Sequence, residues 1–209
     1  MNEKNNINKI LRNKTLFILD WDDTLFPTNW VTKNNINLLI NETQEQYMIY
    51  FQEVDRILSK LLRNLMTMGR IIIVTNAMPD WIKLSSICLP QTYNLLKKIK
   101  VISAKLEYRS ISSNPMNWKK MAFRDIIDNE FVNTKLINII SIGDAEYEYQ
   151  ALISLNDNTR FLKSIRFMKN PSHDLLIDQL EVLNNAIKNI WIKPKHLDLK
   201  FNHYSKTKQ

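Results

Sequence analysis

The sequence predicts an α/β fold, with a mainly parallel sheet and helices on both of its faces. Short β-leaning apolar runs alternate with helical stretches along the chain, a pattern that requires crossover connections between parallel strands. The runs at 15–19 (TLFIL), 71–74 (IIIV) and 136–142 (LINIISI) are nearly continuous in apolar character, as strands covered on both faces are. Each run ends abruptly on polar residues: Asp20, then Thr75 with Asn76, then Gly143 with Asp144. Sheets of this kind gather ligands at the carboxyl ends of their strands.

Between the first two strands, Tyr47, Tyr50, Phe51, Val54, Ile57, Leu58, Leu61, Leu62 and Leu65 recur at three- and four-residue steps. They predict one long amphipathic helix over 41–68, closed by Gly69. Pro79 can occupy the first turn of a helix through Leu84 to Cys88. A shorter helical piece at 93–98 precedes a strand at 101–104. Asn114 and Pro115 open a helix through Trp118, Met121, Phe123 and Ile126. After the 136–142 strand come a helix with Tyr149, Leu152 and Ile153, a weaker strand at 164–167 and a long helix over 171–190. There is no internal repeat.

A chain of 209 residues, 44% of them hydrophobic, can bury the core of one domain and hardly of two. The expected division is an N-terminal extension at 1–14, a single domain at 15–191 and a basic C-terminal tail at 192–209. Two glycines and six prolines exclude collagen-like and wholly disordered classes. The lone Cys88 excludes an internal disulfide and reads as a small buried hydrophobe beside Ile87 and Leu89. No apolar run approaches membrane-spanning length, and the Asn- and Lys-rich start lacks a secretory h-region. A cytoplasmic or nuclear protein is therefore expected. The net charge of +8 would favour acidic partners, although much of the excess lies in Lys193, Lys195, Lys200, Lys206 and Lys208, as a solvated tail would. Trp21, Trp30 and Trp118 read as packing residues or rim walls, and His173, His196 and His203 show no ligand spacing.

The three strand ends carry the chemistry. Asp20 and Asp22, at i and i+2 after a strand, can face one pocket if the chain leaves extended geometry there. One could then attack phosphorus while the other handles a proton. A carboxylate approaching a phosphate dianion meets charge repulsion, so the reaction needs a divalent cation and a fixed positive side chain. Asp144 can supply a metal ligand. Magnesium suits a site of two carboxylates, a backbone carbonyl, phosphate and waters. Lys119 is the fixed cation, with Lys120 the alternative, since helical register decides which of the two faces the rim.

These residues carry a family resemblance. ILDWDDTL resembles the haloacid dehalogenase signature, a hydrophobic strand followed by DxDxT. IIIVTN resembles the second motif of that family, the lysine of NWKKMAF the third, and SIGDAEYE the GDxxxD form of the fourth. The likeness spans roughly residues 15 to 150. It implies a Rossmannoid three-layer sandwich of the haloacid dehalogenase type, and a phosphatase that works through an aspartyl-phosphate on Asp20. Asp22 would protonate the leaving oxygen and later activate water. Thr75 and Lys119, with Asn76 beside them, would hold the phosphate. Asp20, the Asp22 backbone carbonyl and Asp144 would bind Mg2+, with Thr24 and Glu148 supporting that shell. Glu148 stands where the family more often has Asp, which leaves it as a water-mediated metal contact or an ion-pair partner of Lys119.

Neither gap between the motifs looks large enough for a cap module, so the site should be open, with residues 26–30 as a flap in which Trp30 could stack on a substrate. An open site and a basic chain suggest a bulky or macromolecular phosphorylated substrate, protein or nucleic acid. The alternatives are a phosphatase trimming nucleic-acid ends, and a catalytically silent module that keeps the acidic rim to bind phosphate.

Overall fold

Five consecutive buried residues, Thr15–Leu19, form strand β1 in the interior of the sheet. The computed structural model describes residues 11–132 and 135–202. From β1 the chain runs through α1 (Thr28–Lys33), α2 (Asn41–Gln46) and α3 (Met48–Met68) into β2 (Arg70–Thr75). It continues through α4 (Pro79–Ile87) and α5 (Pro90–Leu96) to β3 (Lys100–Ser103), then α6 (Ala104–Tyr108) and α7 (Pro115–Asp125). The remainder is β4 (Asn138–Gly143), α8 (Glu146–Ile153), β5 (Phe161–Arg166), α9 (His173–Trp191) and β6 (Leu197–Lys200).

Among the described residues the sheet has six strands, all parallel, in the order β3-β2-β1-β4-β5-β6. The chain winds outward from β1 in one direction, then returns to β4 on its other side. The strand order therefore reverses between β1 and β4, and this is where such sheets open a crevice at their carboxyl ends.

Alternation along the strands divides the core into the two faces of a Rossmann-like three-layer arrangement. Phe17, Leu19, Ile71, Ile73, Ile140 and Ile142 pack with α3 and α9, whereas Leu16, Ile18, Ile72, Val74 and Ile139 pack with α7 and α8. On α3 the residues Leu58, Leu61, Leu62 and Leu65 are completely buried, each contributing about 1.5–3 kcal/mol of apolar transfer. Among the described residues, no helix is long and apolar enough to cross a membrane.

Several elements differ from the sequence expectation. The helix expected over 41–68 is interrupted at Tyr47, because residues 41–46 (NETQEQ) offer nothing apolar to bury, while the Tyr47 ring turns edge-on to Trp30 at 5.7 Å. Gly69 ends α3 in extended geometry, with φ −173°, so its value is not a left-handed cap. A β-carbon there would sit 2.7 Å from the Thr15 carbonyl oxygen, so only glycine lets β2 start this close to β1. The strand expected at 164–167 begins earlier, at Phe161, and carries the fully buried Lys163 in its middle. That ammonium donates to the carbonyls of Ile190 (2.9 Å) and Trp191 (2.8 Å) at the negative end of α9. Part of the segment read as a solvated tail is an edge strand: β6 pairs with β5, Asp198 takes Arg166, and Phe201 packs against Phe167 at 5.0 Å. The expected N-terminal extension at 1–14 falls largely outside the described residues, of which 12–14 form a short 3-10 turn.

Candidate functional site

The β1–β4 ladder continues one residue beyond β1, with the Asp20 N–H donating to the Ile142 carbonyl at 2.9 Å. This fixes Asp20 beside the end of β4. The chain then closes a tight loop in which Leu25 and Phe26 N–H both donate to the Trp21 carbonyl at 2.9 Å. Asp23 sits in the left-handed region at φ 54°, a conformation that Asp tolerates better than most residues. The loop gives Asp22 hydrogen-bond partners different from those of Asp20. Asp20 faces the layer of α7 and α8, whereas Asp22 faces α1 and α4.

On the α7 and α8 side, the ammonium of Lys119 is buried between two carboxylates. It lies 2.5 Å from Asp20 Oδ1 and also pairs with Glu148. Helical register turns Lys119 inward at 2% exposure and leaves Lys120 half-buried. Burial alone would lower the Lys119 ammonium, yet Asp20 and Glu148 outweigh it and hold the proton more tightly than usual. Burial pushes the Asp20 carboxyl well above its ordinary range, Lys119 pulls it back, and the charges of Glu148 and Asp144 add to the push. Glu148 also accepts the Ala145 N–H at 3.0 Å. Of its two expected roles, the structure gives it that of ion-pair partner to Lys119.

On the other side, three donors surround the Asp22 carboxylate. Oδ1 accepts from the Thr28 hydroxyl at 2.5 Å and from the Trp81 indole N–H at 2.7 Å, and Oδ2 accepts from the Thr75 hydroxyl at 3.2 Å. Thr75 in turn accepts the Ala77 N–H at 2.9 Å. Asn76 adjoins it, with a buried Oδ1 that has no hydrogen-bond partner.

Asp144 has its carboxyl raised to about 7, by burial first and then by the charges of Glu148 and Asp23, against the pull of Lys119. Among the described residues its carboxylate makes no hydrogen bond or ion pair with another side chain. Asp23 is itself pushed up by burial, although its Oδ1 accepts the Asn29 N–H at 2.8 Å.

No family model, no curated protein and no solved structure matches the chain.

A divalent cation is the cofactor that the sequence implies, and the rim residues fit one. Asp20, Asp144 and Glu148 crowd three carboxyl groups round the single ammonium of Lys119, and the charges of its neighbours help to push Asp144 and Asp20 up; ionising all three leaves an imbalance that a doubly charged ion would offset. The Asp22 carbonyl accepts no hydrogen bond among the described residues and so is free to ligate. No three or more His, Cys, Asp or Glu side chains among the described residues form a ready cage. Magnesium does not require one, because it keeps several waters beside one or two carboxylates.

Two expected positions differ. Trp30 does not lie over the rim: it packs among Tyr47, Tyr50, Phe51 and His173, within 5.3–6.0 Å of each, because α1 turns its apolar face into the core. Thr24 is completely buried, and among the described residues its hydroxyl makes no hydrogen bond, to the rim carboxylates or elsewhere. The sequence reading also missed Trp81 and Thr28 as partners of Asp22. Trp81 lies in the first turn of the helix that follows the second rim strand, a place from which a side chain can reach back over the strand ends. Cys88, expected to be buried, is half-buried between the exposed Ile87 and the buried Leu89, and that burial raises its thiol to about 11. A cavity of about 730 Å3 at the opposite, amino end of the strands is lined by Leu11, Arg12, Thr15, Arg70 and Phe131, and it holds none of the rim groups.

Chemically, the rim offers one carboxylate held against a buried ammonium, another held by three neutral donors, and a third that bonds to no other side chain among the described residues. That division suits nucleophile, proton-transfer group and cation ligand respectively.

Proposed function

We propose that this protein is a magnesium-dependent phosphomonoester hydrolase of the capless haloacid dehalogenase type, acting through an aspartyl-phosphate on Asp20. The observation that carries the reading is the partition of the two DxDxT carboxylates: Asp20 against the Lys119 ammonium, and Asp22 across the rim in a cage of neutral donors.

In this mechanism the ionised Asp20 attacks phosphorus in line with the departing oxygen. Protonated Asp22 gives its proton to that oxygen, so the alcohol leaves neutral. Asp22, now ionised, takes a proton from a water that attacks the aspartyl-phosphate, releasing inorganic phosphate and restoring Asp20. Lys119 and Thr75 hold the phosphoryl oxygens, with the Asn76 side chain available beside them. Asp20, Asp144 and the Asp22 carbonyl would hold a magnesium ion, which would supply positive charge against the phosphate. Glu148 keeps Lys119 charged and oriented.

Between β1 and β2 the helices α1 and α3, and between β2 and β4 the helices α4 to α7, bury their apolar faces in the two cores. That supports an open rim able to accept bulky phosphoesters. The test is hydrolysis of an aryl phosphate with magnesium: Asp20→Asn should abolish turnover with the melting transition retained. Full activity in that variant would refute the assignment.

A further inference from the structure

We infer that Trp81 is a positioning residue for proton transfer: together with Thr28 it pins Oδ1 of Asp22 and so presents Oδ2 to the reacting phosphate. The inference rests on the phosphohydrolase reading and extends it to a residue outside the signature motifs.

An indole N–H can only donate, so the 2.7 Å bond from Trp81 makes Oδ1 a permanent acceptor, and the Thr28 hydroxyl at 2.5 Å occupies the same oxygen. Oδ2 has a different neighbour. The Thr75 hydroxyl, 3.2 Å away, accepts the Ala77 N–H through one lone pair. It can donate to Oδ2 when that oxygen is bare and accept from it when it carries a proton. Only Oδ2 therefore has surroundings that tolerate both ends of a proton transfer.

The device is rigid because the helix that carries Trp81 is tied to the loop that carries Asp22. The Trp21 indole N–H donates to the Ser85 hydroxyl at 2.9 Å, and Ser85 donates to the Trp81 carbonyl at 2.7 Å. Phe26, within the same loop, meets the Trp81 ring edge-on at 5.9 Å and stacks on Trp21 and Phe51, each at 6.1 Å. A carboxylate free to rotate about its own bond would present either oxygen. One held by an indole that packs on Phe26, itself stacked on two further rings, presents one.

The experiment compares wild type, Trp81→Phe, Asp22→Asn and the double variant on an alkyl phosphate and on a nitrophenyl phosphate, with magnesium. It is repeated with benzothienylalanine at position 81, which keeps the bicyclic ring and replaces N–H by sulfur, in case the smaller ring impairs folding. Loss of a hydrogen bond to a charged group should lower kcat on the alkyl phosphate by about 10- to 100-fold. KM should stay within about twofold, and the nitrophenyl ester should lose only a few-fold, because an activated leaving group needs less protonation. In the Asp22→Asn background the position-81 change should have almost no further effect. Equal losses on both esters, an additive loss in the double variant, or unaltered alkyl turnover would each overturn the inference while leaving the phosphohydrolase reading intact. A wild-type protein inactive on every ester, or an Asp20→Asn variant that retains activity, would overturn the reading itself and this inference with it.

Discussion

The Glu148 side chain folds back over Gly143 so closely that a β-carbon at position 143 would lie 2.4 Å from the Glu148 Cγ. The extra methylene that distinguishes Glu148 from the aspartate of the resembled motif is accommodated because β4 ends on a residue with no side chain. Folded in this way, the carboxylate reaches both Lys119 and the Ala145 N–H.

Gly143→Ala should therefore expel Glu148 and leave the Lys119 ammonium with Asp20 alone. Overpacking and a broken buried pair together should cost about 1–3 kcal/mol or more, read by chemical denaturation, and turnover should fall at least tenfold. Wild-type stability and turnover in this variant would show that Glu148 does not hold Lys119 in place.

The raised carboxyl of Asp144 predicts a pH-dependent stability. Its folded value, about 7, lies above the ordinary 3.8, so between those values the folded state binds the proton that the unfolded state has lost. Stability of the metal-free protein should fall as pH rises from about 4 to about 7, with Asp20, shifted in the same direction, adding to the slope. Asp144→Asn should flatten that slope and raise the metal-free melting temperature at pH 7.5. Magnesium should raise the melting temperature of the wild type but not of the variant. Scanning calorimetry with and without magnesium checks both; a magnesium response retained in Asp144→Asn would remove Asp144 from the cation site.

Asp55 is a structural prediction far from the motifs in sequence. Its carboxylate, 2% exposed on α3, accepts the N–H groups of Gln91 (2.9 Å) and Thr92 (2.8 Å) in the first turn of α5. It thus supplies from another helix the cap that Leu89 cannot provide. Asp55→Ala leaves both donors without their partner, that of Thr92 in a buried position, and should destabilise the fold by about 1–3 kcal/mol, with KM unchanged. A melting temperature equal to wild type would mean that water replaces the carboxylate at no cost.

The sequence made much of the sheet legible. TLFIL, IIIV and IISI are buried on both faces, and the polar residues Asp20, Thr75 and Asp144 mark where each run meets the rim. Local signals also fixed helix starts: Asn114 caps α7 through the Met116 N–H, and Pro79 opens α4. The edge strand β6 was not legible. LDLK alternates apolar and polar over only four residues of a lysine-rich segment, and what holds it is Asp198 on Arg166 and Phe201 on Phe167, partners 32 and 34 residues earlier.

The sequence by itself determined the rim's cast, because acidic and hydroxyl residues directly after buried strands have only the sheet edge to occupy. Tertiary structure alone decided how they divide. That Lys119 and not Lys120 turns inward depends on how α7 packs against the sheet. That Asp22 is grasped by Trp81 and Thr28 depends on a left-handed turn at Asp23 and on the approach of α4, and neither leaves a mark in residue spacing. The physical reason is the range of the interactions: strand periodicity is set by neighbours one and two residues away, whereas the pairing of a carboxylate is set by whichever donor the packed helices bring within 3 Å.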